Sequence, residues 1–152
     1  MNTPSQLCTF YVGDLFLGLD VLSVQEVIRS PELAQVPLAP PTIQGLLNLR
    51  GQILTAIDLR RMLKLREPKE GSDRKASMLM ILRTANGQVA LVVDSVGDVM
   101  ELTEDTFEPP PDTVPSAVLH LIQGVHKLDR KLLHVLDAEA TGSCQAAIAT
   151  AA

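Results

Sequence analysis

The sequence has very few aromatic side chains, with no tryptophan, one tyrosine and three phenylalanines among 152 residues. The hydrophobic content of 46% must therefore come mainly from aliphatic residues, which suffice for a packed core. The net charge of −5 argues against a protein that binds nucleic acid through a basic surface. The shortage of aromatic rings also disfavours a small β-barrel that stacks nucleic-acid bases, the remote alternative function.

Cysteine is equally scarce. Cys8 and Cys144 lie near opposite ends of the chain, without the CxxC spacing of a zinc or redox site. The N-terminus shows no basic leader followed by an apolar run, and no apolar segment approaches the roughly 20 residues that span a bilayer. We therefore expect a soluble cytoplasmic protein with two reduced thiols.

Catalytic motifs are missing as well. The chain contains no phosphate-binding glycine loop and no GxSxG motif. His120, His126 and His134 are spaced by six and eight residues, which does not place them on one helical face, and no carboxylate completes a metal site. We expect structural histidines, no enzymatic activity, no metal and no cofactor.

Three aspartates each follow an apolar segment, namely Asp58, Asp94 and Asp137. In an enzyme such residues are candidates for acid–base chemistry. Hairpin ends or helix caps are the favoured interpretation, because two of the three occupy equivalent positions in an internal repeat.

The chain consists mostly of short apolar runs separated by Gly, Asp, Asn and Pro, a pattern typical of β-hairpins. Four hairpins are predicted: "LCTFYV-GD-LFLGLD", "GLLNL-RG-QILTAIDL", "SMLMILR-TANG-QVALVV" and "IQGVHKL-DR-KLLHVLD". "DLRRMLKL" predicts a short helix capped by Asp58, and "VLSVQEVI" fits either a helical turn or a strand. Irregular loops are predicted at 66–76 and in "FEPPPDTVPSA", and a flexible tail over 141–152.

The two halves resemble each other. "IQG" at Ile43 recurs at Ile122, an offset of 79 positions (122 − 43), and Asp58 matches Asp137 at the same offset. Upstream, "LSVQEVI" resembles "DSVGDVM" at an offset of 72 (95 − 23). The chain is therefore predicted to contain two related β units in tandem.

Units of this size would have unprotected edges as open sheets, so small closed barrels are expected. The predicted domain spans 1–140 and is mostly β with short helical connectors. One barrel is placed at about 15–66 and the second at about 76–138, with the N-terminal strand as a candidate to complete the second.

One turn breaks the repeat. Arg50 and Gly51 lie between two apolar segments, whereas the equivalent positions in the second half hold Asp129 and Arg130. The shared fold thus tolerates other residues at this turn, so a docking role for Arg50 competes with that of a solvated turn residue.

The motifs "VQEV", "NLRG", "IDLR" and "VVDSV", in this order, resemble the CheW family of coupling proteins in bacterial chemosensory arrays. The resemblance extends from about Leu7 to about Ala138. It implies two SH3-like β-barrels packed on one another, in agreement with the tandem β units. One feature departs from the family, whose members commonly continue into an apolar helix packed on the first barrel. Here "DAEATGSCQAAIATAA" is short and rich in small residues, which argues against such a packed helix.

The resemblance assigns candidate residues by position. Arg50 stands where the family's receptor-contacting arginine stands, and Val24, Glu26 and Gly45 match further receptor-contact positions. Glu26 would either pair with a basic receptor residue or hold Arg50 in place, and Gly45 would permit close backbone approach. The supporting residues of these motifs are Asn48, Gly51 and Asp58.

The implied function is that of a non-enzymatic adaptor. Its partners would be the helical cytoplasmic tip of a chemoreceptor (a methyl-accepting chemotaxis protein), the regulatory domain of a CheA-type histidine kinase, and other CheW-like barrels in rings. No nucleic acid is expected, and association with the membrane would occur only through receptors. The alternative is a scaffold of a chemosensory pathway outside chemotaxis, such as motility or development.

Overall fold

The computed structural model describes residues 4–65 and 77–143. Within these residues the chain forms eleven strands and two short α-helices. The strands are β1 (Ser5–Val12), β2 (Leu15–Asp20), β3 (Val24–Arg29), β4 (Ile43–Leu49), β5 (Gln52–Asp58), β6 (Met78–Thr84), β7 (Gly87–Val93), β8 (Ser95–Leu102), β9 (Phe107–Glu108), β10 (Ile122–Lys127) and β11 (Leu132–Leu136). The helices are α1 (Leu59–Met62) and α2 (Ala138–Gly142).

All four predicted hairpins are present as antiparallel pairs: β1–β2, β4–β5, β6–β7 and β10–β11. The ambiguous segment "VLSVQEVI" forms a 3₁₀ turn at Val21–Ser23 followed by β3. The predicted loop 66–76 lies outside the described residues. No helix in the two described ranges is long and apolar enough to cross a membrane.

The strands form two sheets, and the prediction of a mostly β fold with two barrels and few short helices is confirmed. Barrel 1 is the five-stranded sheet β3-β6-β7-β5-β4, and barrel 2 is the six-stranded sheet β8-β1-β2-β11-β10-β9. The strands divide differently from the predicted limits of 15–66 and 76–138. Strand β2 lies in barrel 2, together with β1, whereas β6 and β7 lie in barrel 1.

The cause of this difference is an exchange of hairpins between the two repeat units. Each unit supplies a hairpin, a single strand, a second hairpin and a short helix, and unit two adds the short strand β9 before its second hairpin. The first hairpin of unit one (β1–β2) pairs with β8 and β11 of unit two, and the first hairpin of unit two (β6–β7) pairs with β3 and β5 of unit one. Each barrel therefore contains strands from both repeats.

Local details of the repeat are also duplicated. The register shifts between Ile43 and Gly45 in β4 and between Ile122 and Gly124 in β10. Both helices begin at an aspartate whose carboxylate accepts a backbone N–H, from Arg61 in α1 and from Ala140 in α2. The predicted flexible tail begins at residue 141, but Thr141 and Gly142 are buried within α2. The rest of that predicted tail, 144–152, lies outside the described residues.

Three apolar clusters hold the chain together. One lies inside each barrel, and the largest, the central cluster, joins strands of both sheets. Along β6, Leu79 and Ile81 contribute to the barrel 1 cluster, whereas Met80 and Leu82 contribute to the central cluster. Because successive strand residues point to opposite faces, such strands are apolar on both sides, which explains their continuous hydrophobic runs.

Candidate functional site

Arg50 and Gly51 form the two-residue turn of the β4–β5 hairpin, called the Arg50 turn below. Both residues have positive φ, 50° at Arg50 and 86° at Gly51. The Asn48 side chain supports the turn by accepting a hydrogen bond of 2.9 Å from the Gly51 N–H. Two-residue turns of this kind favour Asn, Asp or Gly at the first position, since other side chains are strained there. A strained arginine at a turn where asparagine would fit better indicates a role beyond folding.

Arg50 forms a bidentate ion pair with Glu26 on β3. Nη1 of Arg50 lies 2.5 Å from Oε1 of Glu26, and Nη2 lies 2.8 Å from Oε2. Hydrogen bonding to Arg50 lowers the pKa of the Glu26 carboxyl below its usual value and the same contact raises the pKa of Arg50, so both side chains remain charged. The pair connects the outermost strand β3 to the turn after the opposite outer strand β4.

The ion pair orients Arg50 without enclosing it. The Arg50 side chain is 68% exposed and that of Glu26 is 23% exposed. A guanidinium has five N–H donors, and the two hydrogen bonds to Glu26 use two of them. The remaining donors are available to a partner, with their direction set by the fixed carboxylate.

Apolar side chains occur at the same end of barrel 1, and we call Leu22, Val24 and Ile53 the apolar strip. Val24 packs partly against the central cluster, whereas Leu22 and Ile53 are 84% and 62% exposed. Alternation along β5 places Ile53 on the same face as Ile57, which is buried in the central cluster. Val24 and Ile53 therefore lie on strand faces that border the junction between the barrels, and Leu22 precedes β3 at the same end of barrel 1. Sequence reasoning missed Leu22 and Ile53, although the period-two pattern of "QILTAID" signals that Ile53 shares a face with Ile57.

Gly45 does not lie on the surface where the family resemblance implied a receptor contact. It is buried in β4, and a Cβ atom at this position would lie 2.7 Å from the carbonyl oxygen of Ala34. Ala34 and Leu46 exchange two backbone hydrogen bonds, which hold the preceding loop across β4. The close backbone approach that Gly45 permits is thus made within this chain. The structure brings Arg50, Glu26 and Val24 to one region of barrel 1, but Gly45 does not reach its surface.

The aspartates considered for catalysis have structural contacts. Asp58 accepts a hydrogen bond from the Arg61 N–H at 3.3 Å, at the far end of β5 from the Arg50 turn. Asp94 bridges the two barrels: its Oδ2 lies 2.7 Å from Nη2 of Arg60 and accepts a 2.6 Å hydrogen bond from the Gly13 N–H.

The three histidines do not converge. Nδ1 of His126 lies 2.8 Å from the Thr106 hydroxyl and Nδ1 of His134 lies 3.3 Å from the Phe16 carbonyl oxygen, while His120 is exposed. Across residues 4–65 and 77–143, no group of three or more His, Cys, Asp or Glu side chains is arranged to hold a metal. The arrangement around the Arg50 turn, a fixed cation beside an apolar strip, is suited to binding another protein.

Known proteins share the sequence and the architecture. A family model described as a CheW-like domain matches residues 6–143. The chain is 28% identical over 133 residues to the chemotaxis protein CheW of Treponema pallidum, covering 87% of this chain and 78% of that protein. It is 30% identical over 130 residues to the chemotaxis protein CheW of Klebsiella aerogenes, covering 86% and 76%. Protein FrzA of Myxococcus xanthus is 32% identical over 113 residues, covering 74% and 69%.

A solved structure extends this likeness to the fold. The crystal structure of the scaffolding protein TtCheW from Thermoanaerobacter tengcongensis superposes with a TM-score of 0.77 at 27% sequence identity, covering 90% of this chain and 91% of that one. The family match spans both barrels and both copies of the internal repeat. The chain therefore belongs to the family of CheW-like domains.

Proposed function

We propose that this protein is a non-enzymatic adaptor that couples the cytoplasmic tip of a chemoreceptor to a CheA-type histidine kinase. The observation that carries the proposal is the exposed Arg50 at a strained turn, oriented by Glu26 beside an apolar strip. Membership of the CheW-like family supports it, as do the names of the relatives, which describe chemotaxis and scaffolding proteins. The protein would act in the cytoplasm and reach the membrane only through its receptors.

The chemistry of the site suits a helical partner. A receptor tip is a helical hairpin, and an amphipathic helix binds by laying its apolar face along an apolar groove. Leu22, Val24 and Ile53 would contact that face. Arg50 would donate its remaining N–H groups to a carboxylate or to carbonyl oxygens at the helix edge, which fixes the orientation of the complex.

The kinase and further CheW-like barrels would bind elsewhere. In this proposal the ends of both barrels contact related barrels of the kinase regulatory domain and of neighbouring adaptors, which builds rings. Weak individual contacts suffice in such an assembly, because multivalency multiplies them.

A second candidate is a scaffold that serves a chemosensory pathway other than chemotaxis. It is favoured by the match to Protein FrzA, which is not named as a chemotaxis protein. The two candidates share the same binding chemistry and differ in the identity of the receptor. Capture of receptors from the source organism, followed by their identification, distinguishes the two.

The test is an amide-shift NMR titration of the protein with a cognate receptor-tip fragment. We expect shifts at Leu22, Val24, Arg50 and Ile53 in the wild type, and their loss in a folded Arg50→Glu variant. The matched control is Arg29→Glu, since Arg29 is an exposed arginine at the other end of β3. It should bind the fragment normally, and Arg50→Glu should still bind the kinase regulatory domain.

A charge swap separates direct contact from internal support. The double variant Glu26→Arg/Arg50→Glu can restore the ion pair with reversed polarity. If Arg50 itself donates to the receptor, the swap remains unable to bind it. Recovery of binding by the swap, or unchanged binding by Arg50→Glu, would contradict a direct contact by Arg50 and leave it as a turn residue.

A further inference from the structure

Barrel 2 has an open cleft at the end where β8 and β2 terminate and β1 begins. Its volume is about 210 Å³. Leu7, Leu102 and Val135 provide apolar lining, and Phe107 stands beside them with 40% of its surface exposed. A cleft with such walls accommodates an aliphatic chain.

His126 supplies a buried polar group to this cleft. The residue is only 5% exposed, lines the cleft, and has its Nδ1 atom 2.8 Å from the Thr106 hydroxyl. That hydroxyl in turn lies 3.5 Å from the Thr103 carbonyl oxygen, to which it can donate its proton. In the tautomer that carries its proton on Nδ1, the ring donates to Thr106 and Nε2 keeps a free lone pair, for which the described residues offer no partner. Burial lowers the pKa of His126, which favours the neutral ring that a lone pair on Nε2 requires.

Carboxylates complete the lining. The Glu104 side chain forms no hydrogen bond or ion pair within the described residues, and the Asp20 carboxylate uses only Oδ1, which accepts a 2.9 Å hydrogen bond from the Leu22 N–H. The stretch from Asp98 to Asp112, which passes through the cleft, contains six acidic residues and no lysine or arginine. The face of Phe107 adds an aromatic surface that attracts cations.

We propose that this cleft binds a lysine or arginine side chain of a protein partner. The aliphatic stem would lie against Leu7, Leu102 and Val135, as such stems do along apolar surfaces. The charged end would meet the carboxylates of Glu104 and Asp20 and donate an N–H to Nε2 of His126. A basic protein surface fits better than a free amine, because the acidic stretch continues on both sides of the cleft and favours an extended partner.

The site is separate from the Arg50 turn, so it neither requires nor tests the receptor contact. The probe is the peptide acetyl-Gly-Gly-Lys-Gly-Gly-amide, titrated into the labelled full-length protein at low salt and followed by NMR. We expect shifts at the amides of Leu102, Gln123 and His126 that weaken as salt is added. The same peptide with norleucine in place of lysine should leave these amides unshifted.

Substitutions distinguish binding within the cleft from attraction by the overall negative charge of barrel 2. Glu104→Gln should weaken binding of the lysine peptide about threefold, a typical effect for one exposed charge pair. Glu101→Gln, which removes an exposed carboxylate on β8 outside the cleft, should bind like the wild type. His126→Phe should also lose affinity with an otherwise native spectrum. If that variant unfolds, Glu104→Gln decides alone.

Three results would overturn the proposal. Equal shifts with the norleucine peptide would mean that the cleft recognises only apolar groups. Equal weakening by Glu101→Gln would mean that overall charge, not the cleft, holds the peptide. Binding of n-butylammonium as tight as that of the lysine peptide would make this a site for free amines.

Discussion

The two barrels share one strand arrangement but differ sharply in charge. Among the described residues, barrel 1 (21–65 and 77–93) has six basic side chains (Arg29, Arg50, Arg60, Arg61, Lys64 and Arg83) and three acidic ones (Glu26, Glu32 and Asp58). Barrel 2 (4–20 and 94–143) has three basic side chains (Lys127, Arg130 and Lys131) and twelve acidic ones (Asp14, Asp20, Asp94, Asp98, Glu101, Glu104, Asp105, Glu108, Asp112, Asp129, Asp137 and Glu139). One fold thus presents two electrostatically opposite surfaces, which selects partners of opposite charge.

The ion pair at the Arg50 turn shows the same divergence at residue level. At the offsets of the internal repeat, Glu26 corresponds to Asp98 (26 + 72) and Arg50 to Asp129 (50 + 79). The pair of opposite charges in barrel 1 is therefore replaced by two residues of like charge in barrel 2. Since five strands of barrel 2 repeat the strand order of barrel 1 without this pair, the pair is not a requirement of the fold.

The largest predicted effect tests whether the barrels are energetically separate. Leu82→Ala, on β6 of barrel 1, removes a fully buried side chain from the central cluster. We expect the free energy of unfolding to fall by about 2–5 kcal/mol. Because the hairpin exchange and the central cluster couple the barrels, urea unfolding of barrel 2, followed by fluorescence of Tyr11, should shift to the same lower midpoint.

The control is Leu132→Ala, which truncates a leucine on barrel 2 that is 39% exposed and should change stability much less. A Tyr11 transition that stays at the wild-type midpoint in Leu82→Ala would show that the two barrels unfold independently.

A smaller effect is expected at the paired glycines. A Cβ at Gly45 would lie 2.7 Å from the Ala34 carbonyl oxygen, and a Cβ at Gly124 would lie 2.6 Å from the Glu108 carbonyl oxygen. Because backbone must move in both cases, Gly45→Ala and Gly124→Ala should each destabilise the protein by about 1–3 kcal/mol in urea unfolding.

Gln44→Ala and Gln123→Ala, at the exposed neighbouring positions, serve as controls with little expected change. If Gly45→Ala had normal stability but no longer bound the receptor fragment, Gly45 would contact the receptor directly, as the family resemblance implies.

The smallest effect concerns the turn itself and has the opposite sign. Arg50→Asn should raise the urea midpoint slightly, because asparagine tolerates the positive φ of 50° better than arginine does. The lost ion pair is solvent-exposed and offsets little of this gain. The same variant should bind the receptor fragment more weakly, which would show that stability is given up for binding at this position.

Asp129→Asn is the matched change in barrel 2, where the equivalent residue does not have positive φ, and its midpoint should stay near that of the wild type. A lower midpoint for Arg50→Asn would instead mean that the ion pair with Glu26 outweighs the turn strain.

Much of the local structure was predictable because it depends on neighbouring residues. The hairpins followed from short apolar runs separated by residues such as Asn86, which lies in its turn, and Gly87, which begins β7. The helix cap at Asp58 followed from its position before an amphipathic segment. The limits of the barrels were predicted wrongly. Since β2 and β7 are both apolar on two faces, their sequences do not reveal whether β5 or β11 lies beside them.

The candidate site was also predictable only in part from the sequence. Arg50 was identifiable from its turn and from the broken repeat, and Glu26 was named with two alternative roles. The choice between pairing with a partner and holding Arg50 required the fold, because the residues are 24 positions apart and meet only when the outer strands of barrel 1 come together.

By itself, the sequence determined the tandem repeat, the hairpins, the helix caps and the unusual arginine, because each depends on the conformational preferences of a few adjacent residues. Only the tertiary structure decided the exchange of hairpins, the shared central cluster, the pairing of Glu26 with Arg50 and the cleft around His126. Those features join residues far apart in the chain, and burial of apolar surface common to both barrels is what brings them together.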